Sequence, residues 1–238
     1  MARLVLVHGF TQTGRSFGPL LSTLGAGHQV STPDLPGHGR RPEPATDLLA
    51  AADQLGRAGG PATDVGYSLG GRVALHLALA RPDLVERLVL VSTTAGIDRE
   101  ADRAARRTAD DALADWLELQ GVERFLERWL AQPLFAGLAP DAAGLEARRE
   151  NTAAGLAAAL RRLGAGTQEP LWDRLVALDM PVLVVAGRRD THYCELARRL
   201  VAAIGPNATL AVIPDAGHAC HLEHPATFAA LISQSTTA

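Results

Sequence analysis

The chain's strongest chemical signal is the pentapeptide Gly66-Tyr67-Ser68-Leu69-Gly70. A G-x-S-x-G run makes a sharp turn between a strand and a helix and lifts the serine hydroxyl clear of the sheet. Glycines flank the serine because side chains there would collide inside so tight a turn. A serine hydroxyl is a weak nucleophile until a neighbouring base takes its proton. Eight histidines compete for that role. His218 is the best placed, because Asp215-Ala216-Gly217-His218 follows the last strand-like run and a loop there can reach back to the serine. His76 falls inside a helical pattern, and His221 and His224 fall at the start of the next helix; His8, beside Gly9, has a structural role. The carboxylate that orients the imidazole should follow an earlier strand. Asp190 does so, through Ala186-Gly187-Arg188-Arg189, and completes the chain order Ser, Asp, His. Asp98 is a second candidate, and Asp190 has an alternative use as a helix cap. Developing negative charge on a substrate needs backbone N–H donors, which Leu69 and Phe10 would supply.

Groups so far apart in sequence must be brought together by a scaffold. Short apolar runs at 4–7, 29–32, 63–65, 88–92, 182–185 and 209–213 alternate with helical patterns at 48–58, 72–80 and 194–204. That alternation predicts a mostly parallel central sheet with helices on both faces. Asp64 is awkward in a buried strand and predicts that the third strand is short. The stretch 97–170 lacks β-runs and is rich in Ala, Leu, Arg and Glu, with Gln132-Pro133 and Ala139-Pro140 as breaks. It is expected to be a helical cap inserted in a single 1–238 domain, between core segments 1–96 and 171–238, over the strand ends where ligands bind in open parallel sheets.

Composition narrows the function. A net charge of −3 argues against nucleic acid or anionic membrane as the main partner. All 23 basic residues are arginine, which excludes a lysine Schiff base. No apolar run approaches a membrane span, and 1–7 is too short for a signal peptide. Cys194 and Cys220 are not at metal-ligand spacing and are expected as reduced thiols in a cytoplasmic protein.

Together, His8-Gly9-Phe10, Asp34-Leu35-Pro36-Gly37-His38-Gly39, the serine motif, Gly187-Arg188-Arg189-Asp190 and Gly217-His218 resemble the α/β-hydrolase superfamily, in order and over nearly the whole chain. Gly70-Gly71-Arg72, Trp129-Leu130-Ala131-Gln132-Pro133-Leu134-Phe135 and Gln168-Glu169-Pro170-Leu171-Trp172 are most similar to the 2-succinyl-6-hydroxy-2,4-cyclohexadiene-1-carboxylate synthases of menaquinone biosynthesis. That resemblance implies a lyase whose serine triad acts as a base, removing a proton next to a succinyl carbonyl so that pyruvate is eliminated. It implies no metal or organic cofactor. It implies a small substrate carrying carboxylates, which arginines pair bidentately. Arg72 matches a family arginine; Arg106 or Arg107, and Arg148 or Arg149, fall near the family's cap arginines, and Arg106 and Arg149 are assigned to the substrate with Trp129. A monomer or homodimer is expected.

Two rivals remain: a carboxylic-ester hydrolase working through an acyl-serine on a small or acidic ester, and a binding module that keeps the fold without catalysis. For either enzyme, Ser68→Ala and His218→Ala should each lower turnover by at least about 1000-fold with unchanged thermal melting. Near-normal turnover in either variant would leave the triad reading without support.

Overall fold

The computed structural model describes residues 1–43 and 46–237. Among the described residues six strands form one sheet: β1 (Arg3–Val7), β2 (Gln29–Ser31), β3 (Ala62–Tyr67), β4 (Val85–Val91), β5 (Val182–Gly187) and β6 (Ala208–Ile213). Their order is β2-β1-β3-β4-β5-β6, and every pairing among them is parallel. Each apolar run seen in the sequence is a strand, because a sheet buried on both faces selects continuous branched apolar residues.

The helices are α1 (Gly18–Gly25), α2 (Leu48–Gly59), α3 (Leu69–Ala80), α4 (Glu100–Leu130), α5 (Leu145–Arg148), α6 (Ala153–Leu163), α7 (Thr191–Ile204), α8 (Cys220–Glu223) and α9 (Pro225–Thr237). On one face, Leu55 of α2, Val73 and Leu77 of α3 and Leu200 of α7 pack with Val5, Val7, Leu88 and Val184. On the other, Leu20 and Leu24 of α1 and Phe228 and Ile232 of α9 pack with Leu4, Val65 and Val89. After β1 the chain crosses to β2 on one side, and after β3 it crosses to β4 on the other. The crevice between these departing chains is the place where open α/β sheets bind ligands.

Between β4 and β5 the described elements are all helical. Gly121 (φ 79°, ψ 170°) breaks α4 into two arms, and Ala114, Leu117 and Phe125 of α4 pack on Leu156 and Leu160 of α6. The segment leaves and rejoins the core at one stem. There the Leu171 N–H donates to the Ala95 carbonyl at 2.8 Å, and the Trp172 indole N–H donates to the Gly96 carbonyl at 3.0 Å. Among the described residues no helix is long and apolar enough to cross a membrane. Cys194 and Cys220 are both buried and unbridged.

The third strand is not shortened by Asp64. It runs the full Ala62–Tyr67, buried throughout. Asp64 shares its register position with Val5 and Leu88, both in the larger apolar cluster. Burial pushes its carboxyl up to about 7, so the strand carries a neutral acid over much of the ordinary pH range.

The folded state holds this proton up to about 7, whereas the ordinary value is 3.8, so the contribution of Asp64 is intact at low pH and is lost as pH rises through that window. The loss amounts to roughly 4 kcal/mol at most. Asp64→Asn should therefore match the wild type in stability near pH 4 and exceed it increasingly toward pH 8. Parallel denaturation curves at both pH values would rule out a buried, proton-holding Asp64.

Candidate active site

Ser68 stands between β3 and α3 with φ 51° and ψ −109°, a left-handed conformation that costs a non-glycine residue about 1–3 kcal/mol. Neighbours over-determine it. The Ser68 N–H donates to the Val91 carbonyl at 2.9 Å, and the Thr93 hydroxyl donates to the Ser68 carbonyl at 2.8 Å. The flanking glycines are required by close approach: a Cβ on Gly66 would sit 2.5 Å from the Gly70 carbonyl oxygen, and one on Gly70 2.1 Å from that of Val7.

The loop after β6 brings His218 Nε2 to 3.4 Å from Ser68 Oγ. Its Nδ1 lies 2.9 Å from Asp190 Oδ2, and the imidazole is almost wholly buried. Asp190 does both jobs open to it from sequence: Oδ2 faces the histidine while Oδ1 caps α7 by accepting the Tyr193 N–H at 3.1 Å. Capping thus fixes the carboxylate that orients the ring. The rival residues are engaged elsewhere. Asp98 forms a two-pronged pair with Arg199, both contacts 2.7 Å. His221 is buried against the Tyr67 ring, centroids 4.2 Å apart, and burial pushes it down to about 3. His8 donates from Nδ1 to the Gly9 carbonyl and accepts the Leu35 N–H at Nε2, with burial holding it down at about 4. His76 is likewise buried and pushed down to about 4.

A cavity of about 340 Å³ opens over Ser68 and His218, lined from the core by Phe10, Tyr67, Leu69, Arg72 and Tyr193 and from the helical segment by Arg106, Trp129, Phe135 and Arg148. Phe10 and Leu69 flank the serine there, and among the described residues no acceptor engages the Phe10 N–H. Trp129 stands edge-on to Phe10, centroids 5.1 Å apart, and its buried indole N–H has no partner among the described residues. Arg106 donates from Nε to Asp110 Oδ1 at 2.9 Å.

Of the two adjacent arginines offered by the sequence, the one assigned to the substrate is not the one in the cavity wall. Arg149 lies on the surface, paired with Glu123 at 2.9 Å and with Glu146, and does not line the cavity. Its neighbour Arg148 does. Adjacent residues on a helix point about 100° apart, so only one of the two can turn inward. Arg148 donates from Nε to the Ala143 carbonyl at 2.7 Å and from Nη1 to the Thr11 hydroxyl. Arg72 donates to the Leu163 carbonyl at 2.7 Å and to Gln168 Oε1 at 3.4 Å. Among the described residues neither meets a carboxylate, and burial lowers each to about 10. Asp110, Tyr67 and Tyr193 also face the cavity. Sequence reasoning missed Asp110 and Tyr193, whose only signal was their spacing of four and three residues from Arg106 and Asp190.

A model of the alpha/beta hydrolase family matches residues 4–231. The 2-succinyl-6-hydroxy-2,4-cyclohexadiene-1-carboxylate synthase of Enterobacter sp. (strain 638) is 31% identical over 97% of this chain and 90% of that protein. The protein of that name from Salmonella paratyphi C (strain RKS4594) is 32% identical over 94% of this chain and 89% of its own. Among solved structures, MenH from S. aureus matches with a TM-score of 0.90 at 31% identity, covering 98% of this chain and 92% of that one.

The strained serine can be tested directly. Ser68→Gly should be more stable than Ser68→Ala by about 1 kcal/mol, since glycine tolerates positive φ and alanine does not. Equal melting temperatures for the two variants would mean that the turn stores no strain.

Proposed function

The chain belongs to the alpha/beta hydrolase family and within it to the 2-succinyl-6-hydroxy-2,4-cyclohexadiene-1-carboxylate synthases, and on that premise we propose that it eliminates pyruvate from the enolpyruvyl precursor of that compound. The observation that carries the reading is the pair of buried guanidiniums, Arg72 and Arg148, which face the Ser68 cavity with no carboxylate among the described residues in hydrogen-bonding contact with either. Leaving a buried cation without a counter-ion costs several kcal/mol. A substrate bearing several carboxylates would supply the missing partners; a neutral ester would not, and an acidic ester is set apart by the acyl-serine it would form. Arg106, held by Asp110, is a third cation at the same wall.

In this reading Ser68 and His218 act as one base. As His218 Nε2 draws the hydroxyl proton, Ser68 Oγ removes a ring proton next to the succinyl carbonyl. The electron pair moves onto that carbonyl oxygen, and the Phe10 and Leu69 N–H groups hold the enolate as they would any oxyanion. Its return into the ring forms a carbon–carbon double bond and breaks the bond to the enolpyruvyl oxygen. The leaving group takes back the proton and tautomerises to pyruvate. No acyl-serine forms. Asp190 keeps the imidazole in the tautomer that accepts at Nε2 and stabilises it once charged. Phe10, Trp129 and Phe135 keep water from the enolate. Two buried thiols without a bridge fit a reducing, cytoplasmic setting.

With the enolpyruvyl precursor as substrate, the purified protein should release one pyruvate per conjugated diene formed. Arg72→Ala and Arg148→Ala should each lower kcat/KM by about 10- to 100-fold, the loss of one charge-assisted contact. A folded protein that releases no pyruvate but accumulates an acyl-serine on an activated ester would replace this reading with an ester hydrolase.

A further inference from the structure

Glu223 lies outside the cavity and takes no part in the steps above, yet its carboxylate is placed at a costly position. Oε2 accepts the Gly217 N–H at 2.8 Å, one residue before His218. Oε1 is buried and has no partner among the described residues. A buried acceptor left unsatisfied costs about 1–3 kcal/mol and calls for an explanation.

The loop it grips is held at several points. Asp215 turns the chain after β6 with φ 58°, and the Arg189 N–H donates to the Ala216 carbonyl at 2.8 Å. The Glu223 contact fixes the next peptide. Glu223 is itself anchored by its N–H to the Ala219 carbonyl at 3.0 Å, so the clasp closes around His218 within a few residues. The same carboxylate also supports the helical segment: a Cβ on Gly137 would sit 2.5 Å from Oε2, so the chain there rests its backbone on the acid. Two residues earlier, Phe135 stands against the His218 ring, centroids 6.2 Å apart.

We infer that Glu223 is a positioning residue: by accepting the Gly217 N–H and carrying the backbone of Gly137, it sets His218 within reach of Ser68 and seats the helical segment over it. The inference deepens the proposed function but depends only on the Ser68–His218 contact, so its test need not use the natural substrate. The rate at which a fluorophosphonate labels Ser68 reports how well His218 activates the hydroxyl, whatever the enzyme's substrate.

Three variants separate reach from charge. Glu223→Gln keeps an acceptor at the same distance and should label within about threefold of the wild-type rate, because the Gly217 bond survives. Glu223→Asp keeps the charge but withdraws it by one methylene, and should label about 10- to 100-fold more slowly, the range expected when a catalytic group is displaced by about an ångström. Glu223→Ala should fall with Glu223→Asp, and a melting curve for each variant reports its fold. In turnover assays the slow variants should lose kcat with KM little changed. Glu223→Asp labelling fast while Glu223→Gln labels slowly would overturn the inference in favour of a purely electrostatic role, and three wild-type rates would overturn it outright.

Discussion

A hydroxyl and an imidazole 150 residues apart in the chain stand 3.4 Å apart in space, and the parallel sheet is what makes that contact possible. Ser68 follows β3, Asp190 follows β5 and His218 follows β6, so the three groups rise from the same edge because every strand runs the same way. Neighbouring strands lie about 4.8 Å apart, so β3 and β6 are separated by three such spacings. The loop after β6 must lean back across β4 and β5 to close that gap. Register between the strands therefore sets this contact: a slip in any of three pairings would move the imidazole off the hydroxyl.

The strands were legible because burial on both faces leaves a plain mark, a run of branched apolar residues closed by Gly, Pro or Asp. The serine turn was legible because its glycines answer a steric demand that few other residues meet. Three features were not. The length of β3 was not legible because sequence shows a polar side chain at Asp64, whereas burial in the fold holds a proton on that acid up to about 7. The choice between Arg148 and Arg149 depends on the rotation of a four-residue helix, too short for any periodicity to reveal. Tyr193 entered the cavity wall because Asp190 caps α7 and so fixes where the first turn of that helix points, a consequence of capping geometry that residue types alone do not express.

The cavity combines two demands that oppose each other. Apolar walls from Phe10, Trp129 and Phe135 strengthen every electrostatic interaction inside, but they also raise the cost of holding guanidiniums there. The protein meets that cost with carbonyls and hydroxyls in place of acids: Leu163 and Gln168 for Arg72, Ala143 and Thr11 for Arg148. Neutral acceptors steady the cations without neutralising them. Arg149, with two glutamates beside it, illustrates the opposite outcome one residue away.

The stem formed by Ala95, Gly96, Leu171 and Trp172 bears on how such a protein can change over generations. Because the ends of the excursion are tied together, the sheet experiences it only as a closed loop, and doubling the length of a loop adds only about 0.6 kcal/mol of closure entropy. What lies between the ties can grow, shrink or be exchanged while the edge that carries the serine and the imidazole stays as it is. The half of the cavity wall that comes from the helical segment, with Arg106, Trp129 and Arg148, can thus vary with less cost to the sheet than the half that comes from the core, with Phe10 and Arg72.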